Sequence, residues 1–443
     1  MVEGAALLVM ESVSVVRGKT LVLNDVDFSV NGGDLVVVLG KNGAGKSTLL
    51  EASAGILRLT SGNVNHSNTL VRHSDGRRSR PPRLGLTLQS GGFCLDEKVI
   101  ERTRFALTMA GLEARDEWLL ERLEEWNLRH RANDSISSLS GGLRRRLGVL
   151  CGLIPALASQ SPSLVLLDEP FRGLDQGSRK TLDSELTRLL QTGHGIVVVT
   201  HDSGMVEMAN RIVTIEDKNI SEEVVEVNPG SMSESSSLNE RQRKTTDLHL
   251  WTEALSWRTG ADLVPRLAAA FIAFVLIEGM RFSVGLPEHS GWVAALALTP
   301  AFVASLARPG ALRHLEDSRA GDWLYAQMGK RSVTGMGVAI SAIMVLTILY
   351  STIMLDSYNL ADLFLVSLGM GMIGLAAASI YFLETAMTRP GAAFTKLLLI
   401  VLVWPLFFLT QSLTDTTDLV TDLGMGLGIP TMVILIMHLI ASE

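Results

Sequence analysis

Read from its residues alone, the chain is an α/β domain followed by an all-α membrane domain of about six helices. Three observations predict this. In the first half, short β-type runs lead into turn- or helix-forming stretches, as Leu35–Leu39 leads into GKNGAGKST and Leu164–Leu167 into DEP. From about residue 262, long apolar runs take over and the charges fall between them. Between the halves, residues 228–246 (NPGSMSESSSLNERQRKTT) are rich in Ser, Asn and charge, the composition of a flexible linker. As a coil, such a segment spans about 25 Å, enough to join a soluble domain to a membrane surface. The expected division is therefore 1–227, 228–246 and 247–443.

Composition agrees with this division. A length of 443 residues suits two or three domains. The mean hydropathy of +0.29 beside only 19% charged residues reflects the apolar second half. With 39 Lys and Arg against 46 Asp and Glu the net charge is −7, no argument for a nucleic-acid partner. Cys94 and Cys151 both lie in the first half and offer neither a disulfide framework nor metal-ligand spacing, which suits a reducing cytoplasm. The start of the chain lacks a basic region running into a sustained apolar core, so the first half is expected to stay in the cytoplasm.

The strongest chemical signal is Gly40-Lys-Asn42-Gly43-Ala-Gly45-Lys46-Ser47-Thr48, placed directly after a β-type run. Glycines let the backbone wrap around phosphates with its N–H groups pointing inward. Lys46 reaches the β/γ oxygens, and Ser47 binds Mg²⁺ at the start of the following helix. A second strand ends in Asp168-Glu169-Pro170. A carboxylate at a strand's carboxyl end is what Mg²⁺ needs beside a phosphate loop, which assigns Asp168, while Glu169 orients or deprotonates the attacking water. The expected cofactors are ATP and Mg²⁺.

Between these motifs lies Leu139-Ser140-Gly141-Gly142, opening a helix with Leu143-Arg144-Arg145-Arg146. The order of phosphate loop, LSGG and DE strand resembles the ABC ATPase superfamily over roughly residues 7–226. That resemblance implies the fold class: an α/β P-loop ABC nucleotide-binding domain followed by a six-helix transmembrane domain. It implies that Ser140, Gly141 and Gly142 of one subunit close over the γ-phosphate held by the phosphate loop of another. It also implies that Gln89, after the run LGLTL, senses Mg²⁺ and the membrane domain. Asp175 of Gly173-Leu174-Asp175 matches the D-loop, and His201 matches the switch histidine that contacts the γ-phosphate. Two departures stand out. Leu143 replaces the Gln that usually follows LSGG, and no aromatic residue occupies the adenine-stacking position. Arg17 stands near that place, either stacking its guanidinium plane on the base or lying solvated in a loop. The basic stretch Arg77-Arg78-Ser-Arg80-Pro-Pro-Arg83 invites a nucleic-acid or lipid-headgroup reading. With no aromatic interleaving and an acidic chain, it is expected to be a solvated loop.

Past the linker, Leu248–Trp257 (LHLWTEALSW) reads as an amphipathic helix at the inner interface. Six spans are expected at about 264–285, 290–308, 333–355, 361–384, 392–411 and 419–441, each near the ~20 residues needed to cross the hydrocarbon core. The inner segments carry Arg241, Arg243, Lys244, Arg258, Arg308, Arg313, Arg319, Lys330, Arg331 and Arg389. The outer loops carry Glu288, Asp356, Asp415 and Asp418 and no Lys or Arg. The positive-inside rule therefore puts both ends and the ATPase domain on the cytoplasmic side of the plasma membrane. Glu278 and Arg281, three apart in the first span, form either a structural ion pair or a substrate contact. Within the second inner segment, Pro309–Arg331 is long, charged and expected to be partly helical. In type-2 ABC exporters this is the place of a coupling helix, and Glu316, Asp317, Arg319, Asp322 and Trp323 are its candidate contacts.

The pattern GWVAALALTPAFVASLARPGALRHLEDSRAGDWLYAQ resembles the membrane subunit of the cytochrome c maturation ABC complex, the haem-exporter B family. That family's ATPase subunit likewise tends to carry Arg where Arg17 stands and an LLDEPF segment like Leu166–Phe171. The resemblance implies a fusion of two usually separate chains, with haem as a candidate ligand (His289 and Trp292 at the outer mouth) and cytochrome c maturation proteins as candidate partners. Two composite ATP sites imply a homodimer. Three functions compete: haem export or haem-chaperone release, export of a lipid, drug or other amphiphile, and ATP-driven remodelling of partner membrane proteins without transport.

Overall fold

The computed structural model describes residues 6–225, 239–240, 245–260, 263–284, 290–329, 336–355, 359–384, 397–414 and 419–442. They form two compact units, Met1–Lys244 with His314–Arg331, and Thr245–Arg313 with Ser332–Glu443. Most of the expected linker, and the candidates His289, Glu288, Asp356, Asp415, Asp418, Arg389 and Arg331, lie outside the described residues, as does the side chain of Trp292.

The first unit has two main sheets. One is antiparallel, in the order β2 (Thr20–Asn31), β1 (Ala6–Arg17), β4 (Ser61–His66), β5 (Thr69–His73). The other runs β11 (Asn219–Val224), β10 (Arg211–Glu216), β3 (Leu35–Gly40), β9 (Gly195–Val199), β8 (Leu164–Asp168), β6 (Leu84–Thr87). All of its neighbours are parallel except the edge pair β10–β11. The runs VVV in β3, LVLL in β8 and IVVV in β9 are buried along their lengths, as central parallel strands covered on both faces must be. Register sets Val36 against Val197 and Leu166 against Val197, so three strands end level. Helix α1 (Lys46–Ser53) follows β3, and α4 (Gly141–Leu157) precedes β8. A short strand β7 (Leu112–Glu113) pairs with β12 (Asn239–Glu240), so two residues of the expected linker are held in a ladder. After α10 (Gly310–Glu316), a tight turn at Asp317–Arg319 leads into α11 (Ala320–Met328), and both turn and helix belong to this unit.

The second unit is helical. Among its described residues, four helices are long and apolar enough to cross a membrane, at Leu263–Met280, Gly337–Met354, Leu360–Glu384 and Val420–Ile440. The second and fifth expected spans are shorter apolar helices, Val293–Ser305 and Leu398–Ser412. The latter opens as a 3₁₀ turn, and Pro405 sits in the first turn of the α-helix that follows, where a missing N–H is harmless. The Gly-rich GMGLGIP does not break the last helix, which runs from Leu419 to Ser442 through Pro430. Close helix packing comes from small residues. Ala294, Ala297, Ala301 and Ala304 form one fully buried face, and a Cβ on Gly374 would stand 2.5 Å from Ile343. Large apolar side chains such as Phe271, Ile272 and Leu276 point outward instead, as lipid-facing residues do. Arg266, inside the first expected span, is buried and donates to Ala304 O at 2.6 Å and Ala307 O at 3.1 Å, capping a helix end. The segment expected as an amphipathic helix is helical, α7 (Thr245–Thr259), but its apolar residues do not gather on one face. It buries Leu248, Thr252, Leu255 and Ser256 and exposes Leu250 and Trp257, while Glu253 accepts from the N–H groups of Gly337 and Val338. Glu278 sits half-buried, and the side chain of Arg281 is outside the described residues.

Candidate functional site: the carboxyl edge of the parallel sheet

Strands β3, β9 and β8 are neighbours, so the residues that follow them converge at one edge, the usual ligand-binding edge of an open α/β sheet. After β3 come Gly40 to Thr48. Gly40 (φ 144) and Gly45 (φ 114) hold backbone angles unsuited to side chains, and a Cβ on Gly40 would lie 2.8 Å from Ile215 O. Asn42 and Gly43 are exposed, while Lys46 and Thr48 are buried. Lys46 Nζ donates to Gly40 O at 2.7 Å and Lys41 O at 3.0 Å, lying back across its own loop.

Asp168 ends β8 and is buried. The Ser47 side chain stands close enough to favour the charged form of Asp168, whose Oδ1 has no hydrogen-bond partner among the described residues. Burial raises its pKa, helped by the charges of Glu51 and Glu169 and opposed by Ser47 and Arg145. A buried carboxylate with one oxygen to spare, beside a hydroxyl at the start of a helix, is an oxygen-donor set suited to Mg²⁺. Glu169 takes a left-handed backbone (φ 52), with its N–H donating to Val199 O at 2.8 Å. That turn sets Glu169 Oε1 3.5 Å from His201 Nε2, so the two expected catalytic side chains meet.

Ser140 caps α4, accepting from Leu143 N at 3.4 Å, and Ser140 and Gly141 are exposed; a Cβ on Gly141 would meet nothing within 4 Å. Asp175 caps the next helix and pairs with Arg146 at 2.9 Å. Gln89 is exposed. Sequence reasoning passed over Arg145, whose guanidinium donates to the carbonyls of Leu88, Gln89, Asp168 and Glu169. One side chain thus ties the Gln89 loop to the DE turn; the available signal was the arginine run after LSGG. Arg17, open between two readings in the sequence, pairs its guanidinium with Glu51 of α1 and keeps it half-exposed. Glu51 was also missed, although it is the one acid in the helix that begins at Lys46.

The same unit holds a socket for residues 314–329. Trp323 is fully buried, donates from Nε1 to Leu86 O at 3.1 Å, and has the Arg102 guanidinium 3.8 Å from its ring centroid. Gln327 donates to Leu84 O at 3.0 Å. Both acceptors lie on β6, three and five residues before Gln89. The basic stretch 77–83 is only in part a solvated loop: Arg77 is exposed, but the arginines after it are docked. Arg78 donates to Tyr325 O at 2.8 Å and stacks 3.2 Å from that ring, and Arg80 donates to Met328 Sδ at 3.2 Å. Proline-stiffened backbone turns these arginines onto α11, a partner some 250 residues away that pattern reading cannot supply. Of the five expected contacts, Trp323 and Arg319 enter the socket, Asp322 pairs with Arg319, and Glu316 is exposed. The side chain of Asp317 is outside the described residues.

Comparison with known proteins agrees with this geometry. The ABC transporter family model matches residues 23–172. The phosphonates import ATP-binding protein PhnC of Trichormus variabilis is 36% identical over 195 residues, covering 42% of this chain and 77% of the relative. The taurine import ATP-binding protein TauB of Escherichia coli O157:H7 is 32% identical over 198 residues, covering 44% and 73%. The Nod factor export ATP-binding protein I of Cupriavidus pinatubonensis is 36% identical over 205 residues, covering 44% and 59%. Among solved structures, a dimeric post-hydrolysis ATP-binding cassette bound to ADP and Pi aligns at 23% identity with a TM-score of 0.43, covering 50% of this chain and all of that one. Phosphate loop, DE strand and LSGG helix thus stand on the fold and among the relatives they require, and the chain belongs to the ABC transporter ATP-binding family, whose cassettes hydrolyse ATP to drive transport.

Proposed function

We propose that the chain is an ABC half-transporter in which one ATP-binding cassette (1–227) drives one membrane domain (247–443) through a connecting segment (228–246), and that it works as a homodimer. The observation that carries this is the convergence of Ser47, Asp168, Glu169 and His201 at the ends of neighbouring strands. Bound Mg²⁺ would neutralise phosphate charge, with Ser47, Asp168 and Gln89 as its holders. The glycine backbone from Gly40 to Gly45, with Asn42, Lys46 and Thr48, holds the phosphates. Glu169 accepts a proton from water or orients it, and His201 fixes that carboxylate and faces the γ-phosphate. Arg17, steadied by Glu51, offers its exposed plane to the base. Exposed Ser140 and Gly141 and half-buried Gly142, with Asp175 nearby, are the surface that a second copy's phosphate loop would meet. We place the cassette on the cytoplasmic side of the plasma membrane, because the basic residues of the second half gather in the segments on the cassette's side.

Turnover tests this directly. Glu169→Gln is expected to lower the ATP hydrolysis rate of the full chain by about 10²–10⁴-fold while leaving nucleotide binding intact. Normal hydrolysis by that variant would remove the catalytic assignment. Light scattering of the Glu169→Gln chain with ATP should give the mass of two copies; one copy at saturating ATP overturns the homodimer.

The cargo is a finer matter. Phosphonate import, taurine import and Nod factor export belong to the relatives with these cassettes, so the cassette half does not select cargo. For haem export or haem-chaperone release in cytochrome c maturation, the support is the likeness of residues 291–327 to that family's membrane subunit. Haem-stained gels of a host carrying Glu169→Gln test it, since loss of c-type with intact b-type cytochromes is expected. Unchanged c-type cytochromes would leave export of an amphiphile. ATP turnover that depends on a partner protein would instead favour remodelling.

A further inference from the structure

We propose that Arg319 is a positioning residue for the nucleotide site, acting through Glu51 of the phosphate-loop helix. The proposal rests on the chain's membership among ATP-hydrolysing cassettes. Glu51 is almost fully buried, five residues after Lys46 on α1, and its two carboxylate oxygens are taken by different arginines. Oε2 accepts from Arg17, at the end of β1, and Oε1 accepts from Arg319, which enters from the segment after α10. Arg319 Nε also pairs with Asp322 at 2.7 Å. Two arginines therefore balance two carboxylates directly behind the loop that must hold an anion.

The backbone shows independently that this placement is imposed. Ser318 (φ 46) and Arg319 (φ 60) are consecutive non-glycine residues in the left-handed region, a costly arrangement that persists only when surrounding contacts hold it. Those contacts come from the loop that follows Gln89. Ser90 Oγ donates to Ser318 O at 2.9 Å, and Gly92 N donates to the same oxygen at 2.9 Å. The kink turns Arg319 back towards α1, while Trp323, one helical turn on, fills the socket beside β6. A single strained turn thereby touches both the Gln89 loop and the helix that carries Lys46.

Loss of Arg319 strips Oε1 of its partner and leaves an unbalanced negative charge behind the phosphate loop. Glu51 already bears on Asp168 electrostatically, so the charge reaches the site that binds the anion and its metal. By linkage, whatever Arg319 adds to nucleotide binding, nucleotide binding adds to the hold on the turn.

The test is steady-state ATP hydrolysis by the full chain in lipid nanodiscs, with wild type, Arg319→Met, Glu51→Gln and the double variant. Arg319→Met should raise KM for ATP by on the order of tenfold, more than it lowers kcat. The double variant should recover much of that loss, because the carboxylate that needed Arg319 is gone. Arg319→Lys, which keeps the charge, should fall between Arg319→Met and wild type. An unchanged KM for Arg319→Met, or strictly additive losses in the double variant, would overturn the proposal. Titration of ATP onto Glu169→Gln with and without Arg319→Met reads affinity apart from turnover: equal affinities sink the positioning role, whereas a wild type that binds ATP without hydrolysing it sinks the ATPase reading alone.

Discussion

The nucleotide site and the socket for residues 314–329 belong to one unit but are made of different materials. The site is mostly backbone and short-range sequence: glycines with unusual φ, helix starts, and carboxylates at strand ends, all within a few residues of their motifs. The socket is side chains from distant places, with Trp323 on Leu86, Gln327 on Leu84 and Arg78 on Tyr325, each more than 230 residues apart. The site keeps its groups partly open, Glu169 and His201 among them, whereas the socket buries an aromatic ring against a guanidinium. One region is built to exchange a ligand and the other to hold a segment, and perturbations should separate them.

The largest expected effect is in the socket. Trp323→Ala removes a fully buried ring, uncovers the buried Arg102 guanidinium and leaves Leu86 O without its donor. Truncations of this kind cost about 3–5 kcal/mol. For a domain of this size the unfolding midpoint should fall by on the order of 10 °C, measurable by thermal melts of the full chain. Trp323→Phe keeps most of the area and loses only the hydrogen bond, so its cost should be about 1 kcal/mol. If Trp323→Ala melted like wild type, the socket would be no more than surface contact and the contrast would fail.

Acid should instead weaken the scaffold behind the nucleotide site. His66 Nε2 lies 2.6 Å from Ser53 O at the end of α1, and His194 Nδ1 accepts from Ser163 N at 3.0 Å just before β8. Burial lowers both pKa values to about 4. The folded chain therefore keeps them neutral while the unfolded chain protonates them below about 6.5. Stability is unaffected by them above that pH and is lost progressively between pH 6.5 and 4, by up to about 3 kcal/mol each at 1.36 kcal/mol per unit. Asp168 has the opposite sign, since its raised pKa makes the charged form the unfavourable one and acid relieves it. Melts at pH 8, 6 and 5 should fall on acidification, and His66→Gln should flatten the slope. A slope unchanged in both His66→Gln and His194→Gln would remove these residues as its source.

The contrast also explains what could be read in advance. Lys46, Ser47, Asp168 and Glu169 were legible because phosphate chemistry dictates short spacings, and a strand followed by a glycine turn admits few folds. Apolar runs such as LVLL were legible as strands, while their parallel pairing comes from the register of β3, β9 and β8. Arg78 and Arg80 were misread because solvation and docking look alike in a basic stretch until its partner, Tyr325 or Met328, is known. Arg145 stands between Arg144 and Arg146, and nothing local in that run singles it out. The expected spans 290–308 and 392–411 are described as the apolar helices Val293–Ser305 and Leu398–Ser412, and residues 285–289 and 385–396 before them lie outside the described residues.

Arg145 joins the two regions, and its loss should be intermediate. Arg145→Met abandons four carbonyls, two before the socket's turn and two at the DE strand. Hydrogen bonds from a charged group are worth about 1.5–3 kcal/mol, and the released groups include the backbone that aims Glu169. Hydrolysis should fall about tenfold or more while the melting point moves by only a few degrees. A melting loss as large as that of Trp323→Ala, with hydrolysis retained, would make Arg145 a core residue and nothing more.

The smallest effect should come from Arg146 and Asp175. The pair stands at 2.9 Å, but Asp175 is mostly exposed, and exposed ion pairs contribute about 0.2–1 kcal/mol. Arg146→Ala should therefore barely move the melting point, and less still at high salt. Its effect on hydrolysis should be measured across a range of chain concentrations, with the mass of the particle read alongside. A loss confined to the associated form would mean that the pair shapes the surface presented to a second cassette. Equal loss at every concentration would mean that Arg146 acts within its own chain, through the helix that also carries Arg145.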